Sequence, residues 1–101
     1  MSQQSLIIRF KYRKPELDTL YELEEKIAEA LDEAGAGDYE GSEMSIDGSE
    51  GQMTMTGPKA QALWETVEPV LAAARFMRGA EGELRFGEGE DAETDIVSVG
   101  S

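Results

Sequence analysis

Residues 44–57, which read MSIDGSEGQMTMTG, decide the fold of this chain. Apolar and polar residues alternate on both sides of the polar centre DGSEG, a pattern typical of a β-hairpin with a glycine-containing turn. In this pairing the side chains of Met44 and Ile46 lie opposite those of Met53 and Met55, on the same face of the hairpin. A helical pattern flanks the hairpin on each side, and an alternating run lies beyond each helix. The sequence therefore predicts the order strand, helix, hairpin, helix, strand.

The first strand is predicted from Leu6 to Arg13, where residues alternate between two faces. One face is apolar and is expected to lie in the core. The other face is strongly basic and carries Ile7, Arg9, Lys11 and Arg13. Because Pro15 lacks a backbone donor and suits the first position of a helix, the strand is expected to end there.

Two helices are predicted from apolar residues at helical spacing. The first runs from about Pro15 to Ala34 and ends at Gly35, a residue that readily adopts left-handed geometry. The second begins near Pro58 and contains Pro69, which costs about 3 kcal/mol in a helix interior. The helix either continues through Pro69 with a kink, which we favour, or stops near Glu68 so that a short second piece begins with Pro69.

Glu81 to Phe86 alternates again and is predicted as the last strand of a single domain, residues 1–87. Residues 88–101 are predicted as an acidic flexible tail with a short apolar end at Ile96, Val97 and Val99. This apolar end is either disordered or adds to a sheet edge, in its own chain or in a neighbouring one.

Two β-α-β units joined by a hairpin predict an α+β, ferredoxin-like β-α-β-β-α-β two-layer sandwich. In this arrangement a four-stranded antiparallel sheet carries both helices on one face. The first and third strands are expected to be central.

Three stretches carry a resemblance: GQMTMTGPKA at 51–60, LWETVEPVL at 63–71, and Arg78-Gly79 followed by LRFG at 84–87. Together they resemble a group of small acidic bacterial proteins of unassigned function, over roughly residues 38–87. The shared residues are turn glycines, a helix-start proline and core aliphatics. The resemblance therefore implies the ferredoxin-like α+β fold and brings no catalytic residue with it.

Composition excludes several classes of site. The 101 residues contain no cysteine and no histidine, so disulfides, thiolate metal sites and the commonest general base are absent. No phosphate-binding loop, dinucleotide fingerprint or nucleophile elbow is present. We therefore expect no enzymatic activity, no cofactor and no metal. The N-terminus shows no signal-peptide pattern, and no apolar run approaches a membrane span. A cytoplasmic protein without membrane contact is expected.

The net charge of −13 arises from 22 acidic and 9 basic residues, and it favours basic partners over nucleic acid. Within this acidic chain the basic stripe Arg9, Lys11 and Arg13 is the candidate partner-binding or anion-binding site, with Arg85 on the adjacent strand. RNA-recognition domains use such a face, but they need outward aromatic residues there. The outward positions of the third strand are Gln52, Thr54 and Thr56, so nucleic acid binding is not expected.

Two interpretations of the stripe remain. The bases either pair across the sheet with Glu43, Glu81 and Glu83, or they bind an anionic ligand or an acidic partner surface. The function predicted first is a non-enzymatic protein-interaction module, such as an inhibitor or immunity-type protein that masks a basic partner. The alternatives are a regulatory domain that binds a small anion on the open sheet face, and a homodimerising domain.

Overall fold

The computed structural model describes residues 3–12, 17–47, 49–87 and 92–100. Two α-helices cover one face of a five-stranded antiparallel sheet. In chain order the elements are β1 (Gln4–Lys11), α1 (Asp18–Ala34), β2 (Asp38–Met44), β3 (Glu50–Gly57), α2 (Ala60–Ala72), a 3-10 turn (Arg75–Met77), β4 (Glu81–Arg85) and β5 (Thr94–Ser98).

The strands lie in the order β2-β3-β1-β4-β5, and every neighbouring pair is antiparallel. The α+β class is confirmed. The prediction of a four-stranded ferredoxin-like sheet is wrong, because Thr94–Ser98 pairs with Glu81–Arg85 and adds a fifth strand. The acidic residues that lead into β5 obscure it in the sequence. Of residues 88–101, which are predicted as a flexible tail, Thr94–Ser98 forms this fifth strand and residues 88–91 lie outside the described residues.

The hairpin differs from its prediction at the turn. Strand β2 starts at Asp38 and ends at Met44, and Ile46 is fully exposed in the turn rather than paired with a core methionine. A bulge between Tyr39 and Gly41 shifts the register of the two strands. The predicted facing of Ile46 is therefore wrong, because the strand pairing closes one residue earlier, where Ser45 N–H donates to the Glu50 carbonyl at 2.8 Å.

The core lies between the sheet and the helices. Its sheet side comprises Leu6, Ile8, Phe10, Met53, Met55 and Leu84, and its helix side includes Leu20, Leu23, Ile27, Leu31, Leu63, Val67 and Leu71. Helix α1 ends at Gly35, whose φ of 64° is the left-handed geometry predicted for it. Pro15, the predicted start of this helix, lies outside the described residues.

Helix α2 continues through Pro69, as predicted. It begins at Ala60, whose N–H donates to Oε1 of Gln4 at 2.7 Å. A side chain from β1 thus satisfies one of the amides that a helix start leaves unpaired. No helix in the described part of the chain is long and apolar enough to cross a membrane.

Candidate functional site

The face of the sheet that the helices leave open carries the predicted site residues. Side chains alternate along a strand, so the register places Arg9 and Arg85 on this face, together with Lys11 at the end of β1. Arg13, the fourth predicted site residue, lies outside the described residues.

Two carboxylates of β4 form ion pairs with Arg9 and Arg85. Nη1 of Arg9 lies 3.3 Å from Oε1 of Glu83 and 3.8 Å from Oε2 of Glu81, and Nε of Arg85 lies 3.6 Å from Oε2 of Glu83. Glu83 therefore bridges both arginines and is the least exposed of the four, at 21%. Exposed pairs of this kind stabilise a fold by about 0–1 kcal/mol each. Their larger consequence is that the positive charge of both arginines is balanced within the sheet.

The described part of the open face is acidic. The described strands place on it three basic residues, Arg9, Lys11 and Arg85, and six carboxylates, Asp38, Glu40, Glu43, Glu50, Glu81 and Glu83. Within the described residues Asp38, Glu43 and Glu50 form no salt bridge, and all three are exposed. These three carboxylates, which we call the acidic trio, leave a surface that attracts cations.

The open face lacks the rings that single-stranded RNA requires. In the described strands Gln52, Thr54 and Thr56 occupy its β3 positions, opposite Arg9, Ile7 and Ser5. The described aromatic residues Phe10, Tyr39 and Phe86 belong instead to the core or pack against it. Base stacking therefore has no platform on these strands.

A groove of about 750 Å³ lies where the open face meets the end of the core. Its lining includes Arg9, Lys11 and Arg78, the carboxylates Glu43, Glu50 and Glu81, and the rings of Phe10 and Phe76. Sequence reasoning missed Arg78, because this residue lies in the loop before β4 and belongs to no periodic pattern. The charges of the described lining residues balance, so these residues do not form a positively charged pocket.

The β2–β3 turn is organised by one carboxylate. Oδ1 of Asp47 accepts hydrogen bonds from Ser49 N–H at 3.0 Å, from Ser49 Oγ at 2.8 Å and from Ser45 Oγ at 2.7 Å. These bonds favour the ionised form, and the Ser49 amide has the largest effect. They lower the pKa of Asp47 from its ordinary value of 3.8 to about 2.

This pKa gives a testable pH dependence. Because the folded-state pKa lies below the unfolded one, the turn contributes stability that is complete above the unfolded pKa of about 3.9 and is lost as pH falls through about 2. In an NMR titration the Asp47 carboxyl carbon should therefore have its midpoint near 2. In a Ser45→Ala/Ser49→Ala variant the midpoint should rise, because only the amide donor remains. A midpoint near 3.8 in the unmodified protein would contradict the described turn.

A second polar cluster lies where α1 meets β2. Ser42 Oγ donates to Oε1 of Glu24 at 2.8 Å, and the nearby hydroxyl of Tyr39 is buried without a well-formed hydrogen bond among the described residues. Burial, and then the negative charge of Glu24, raises the pKa of Tyr39. The tyrosine therefore stays neutral, and we assign it to packing at the sheet edge.

No group of three or more carboxylates in the described residues is arranged to hold a metal ion. Comparison of the chain with protein-family models, with curated proteins and with solved structures finds no match in any of the three.

Proposed function

We propose that the protein is a non-enzymatic interaction module that binds a basic protein on its open sheet face, as an inhibitor or immunity-type protein masks a cationic partner. The observation that carries this proposal is the charge of that face, where the described strands place six carboxylates and three basic residues. The net charge of −13 over the whole chain adds a long-range attraction for cations.

The ion pairs of Arg9 and Arg85 support a cationic partner over a small anion. An anion on this face would compete with Glu81 and Glu83 for both arginines. The acidic trio, in contrast, offers carboxylates that form no salt bridge with a described base. A cationic surface that docks there gains ion pairs without breaking existing ones, and the resulting complex is sensitive to salt.

The proposal predicts a partner that depends on the acidic trio. Immobilised protein should recover a basic protein from its source lysate at about 50 mM salt, and should lose it at about 500 mM because screening weakens surface charge pairs. With the purified partner, an Asp38→Asn/Glu43→Gln/Glu50→Gln variant should bind about tenfold more weakly or worse. Titration calorimetry would measure both affinities.

The matched control is Glu22→Gln/Glu25→Gln/Glu29→Gln on helix α1, whose three carboxylates are also exposed. This variant changes the net charge by the same amount but leaves the open face intact, so it should bind like the unmodified protein. Equal losses in both variants would mean that only the overall charge matters. Recovery of no basic protein at low salt would overturn the proposed function.

A further inference from the structure

We propose that the outer edge of β5 accepts an extended, lysine- or arginine-bearing segment of the partner as a sixth strand. This inference rests on the proposed function and names the part of the basic partner that is recognised. Three features carry it: the direction of the β5 backbone groups, a local hydrogen bond of Asp95, and the contrast with the other edge of the sheet.

The ladder between β4 and β5 fixes which backbone groups point outward. Phe86 N–H donates to the Glu93 carbonyl at 2.9 Å, and Val99 N–H donates to the Ala80 carbonyl at 3.0 Å. Hydrogen-bonded pairs alternate along an antiparallel ladder, so Thr94 and Ile96 direct their backbone groups away from β4. No other described strand pairs with this side of β5.

Asp95 covers one of these outward groups. The Ile96 N–H donates to Oδ1 of Asp95 at 3.1 Å, so a carboxylate occupies the place that a carbonyl of a neighbouring strand would take. An incoming strand that supplies its own carbonyl releases Asp95. The released carboxylate is then available to pair with a lysine or arginine on the incoming strand.

The side chains of β5 specify an alternating sequence in the incoming strand. Ile96 projects on the open face and is 54% exposed, whereas Asp95 projects on the opposite side. A complementary strand therefore carries apolar residues toward Ile96 and cationic residues toward Asp95. A second copy of this chain fits less well, because it brings another net charge of −13 and no cation in its own β5.

The opposite edge of the sheet is closed to such an addition. Strand β2 has a bulge between Tyr39 and Gly41, which interrupts its register. Bulges are a common device against strand pairing. In β5 the register is regular, and the strand contains neither proline nor lysine. The two edges thus differ, and β5 is the receptive one.

The test uses three capped peptides and the full-length protein. The first is Lys-Val-Lys-Val-Lys-Val-Lys, the second is the same peptide N-methylated at alternate amides, and the third replaces each lysine with glutamate. The cationic peptide should bind and shift the Thr94 and Ile96 amide signals in NMR spectra. The N-methylated peptide, which keeps the charge but loses the main-chain bonds, should bind about tenfold more weakly or worse. The glutamate peptide should not bind.

Two variants locate the site. Ile96→Pro removes the outward N–H, which an edge strand tolerates, and should abolish binding of the cationic peptide. Ile96→Ala keeps the N–H and should retain most of the binding. Equal binding of the methylated and unmethylated peptides, or equal binding to the Ile96→Pro variant, would overturn the β5 site while leaving the basic partner in place. If the lysate partner binds but the cationic peptide does not, the partner does not bind at the β5 edge, and the proposal is overturned.

The alternative is that a second copy of this chain occupies the β5 edge. Light scattering of the same protein samples without peptide tests it. The protein should be monomeric at low and at high salt. A dimer that disappears in the Ile96→Pro variant would show that a second copy occupies the β5 edge, and this result would overturn the proposal.

Discussion

Replacing Gly57 with alanine is expected to lower the free energy of unfolding by about 3 kcal/mol. Gly57 is the last residue of β3 and lies against the segment that leads into β2. A Cβ placed there would collide with the carbonyl oxygen of Ala36 and lie 3.2 Å from the Cα of Gly37. Both obstacles are backbone atoms, so no side-chain rotation relieves the overlap. Either the end of β3 must move away from residues 36 and 37, or the loop between α1 and β2 must move.

Urea unfolding followed by the fluorescence of Trp64, the single tryptophan, measures this effect. The matched control is Gly87→Ala, because among the described residues a Cβ on Gly87 would meet only Ala92 Cβ at 3.6 Å, an ordinary contact. The control should change the free energy of unfolding by no more than about 0.5 kcal/mol. Similar values for the two variants would contradict the close approach at Gly57.

Ending the chain at Gly87 is expected to cost about 3 kcal/mol or more, because it removes Val99 from the core and β5 from the sheet. Val99 is 1% exposed, its N–H donates to the Ala80 carbonyl, and its carbonyl accepts from Gly79 N–H, both at 3.0 Å. A Cβ built on Gly82 would lie 2.8 Å from Cγ2 of Val97 and 3.6 Å from Cζ3 of Trp64, so both side chains lie over this glycine. Truncation therefore exposes the indole, and Trp64 emission should shift to the red.

Two single substitutions separate the contribution of the buried side chain of Val99 from that of the exposed side chain of Ile96. Val99→Ala should cost about 2 kcal/mol, because it deletes buried methyl groups. Ile96→Ala on the exposed side of β5 should stay within about 0.5 kcal/mol of the unmodified protein. A truncated chain as stable as the full-length protein would mean that β5 does not belong to the core.

The elements that the sequence predicts well are those whose signal is local. The alternation in Leu6–Lys11 and the stripe Leu20, Leu23, Ile27 and Leu31 depend on residues a few positions apart, and the structure buries these apolar residues. Strand β2 is harder to recognise, because DYEGSEM is mostly polar and contains a bulge. It is a strand because β3 pairs with it, and that is a long-range interaction that no local pattern contains.

The same distinction applies to the candidate site. The pairing of Arg9 with Glu81 and Glu83 was one of the two interpretations open to the sequence, because both strands alternate and adjacent strands share a face. That Arg78 lines the same groove as Lys11 depends on the path of a loop, which periodicity does not determine. The hydrogen bond from the Ile96 amide to Asp95 forms because this amide faces outward. Which amides of β5 face outward follows only from the register between β4 and β5.

The central position of β1 has a consequence for synthesis of the chain. Of the five strands it leaves the ribosome first, yet its two neighbours are Glu50–Gly57 and Glu81–Arg85. Until β3 emerges, β1 has none of its partner strands to pair with, and its apolar face has no completed sheet to join. The sheet can close around β1 only after β4 has been translated, so folding of this sheet depends on long-range contacts.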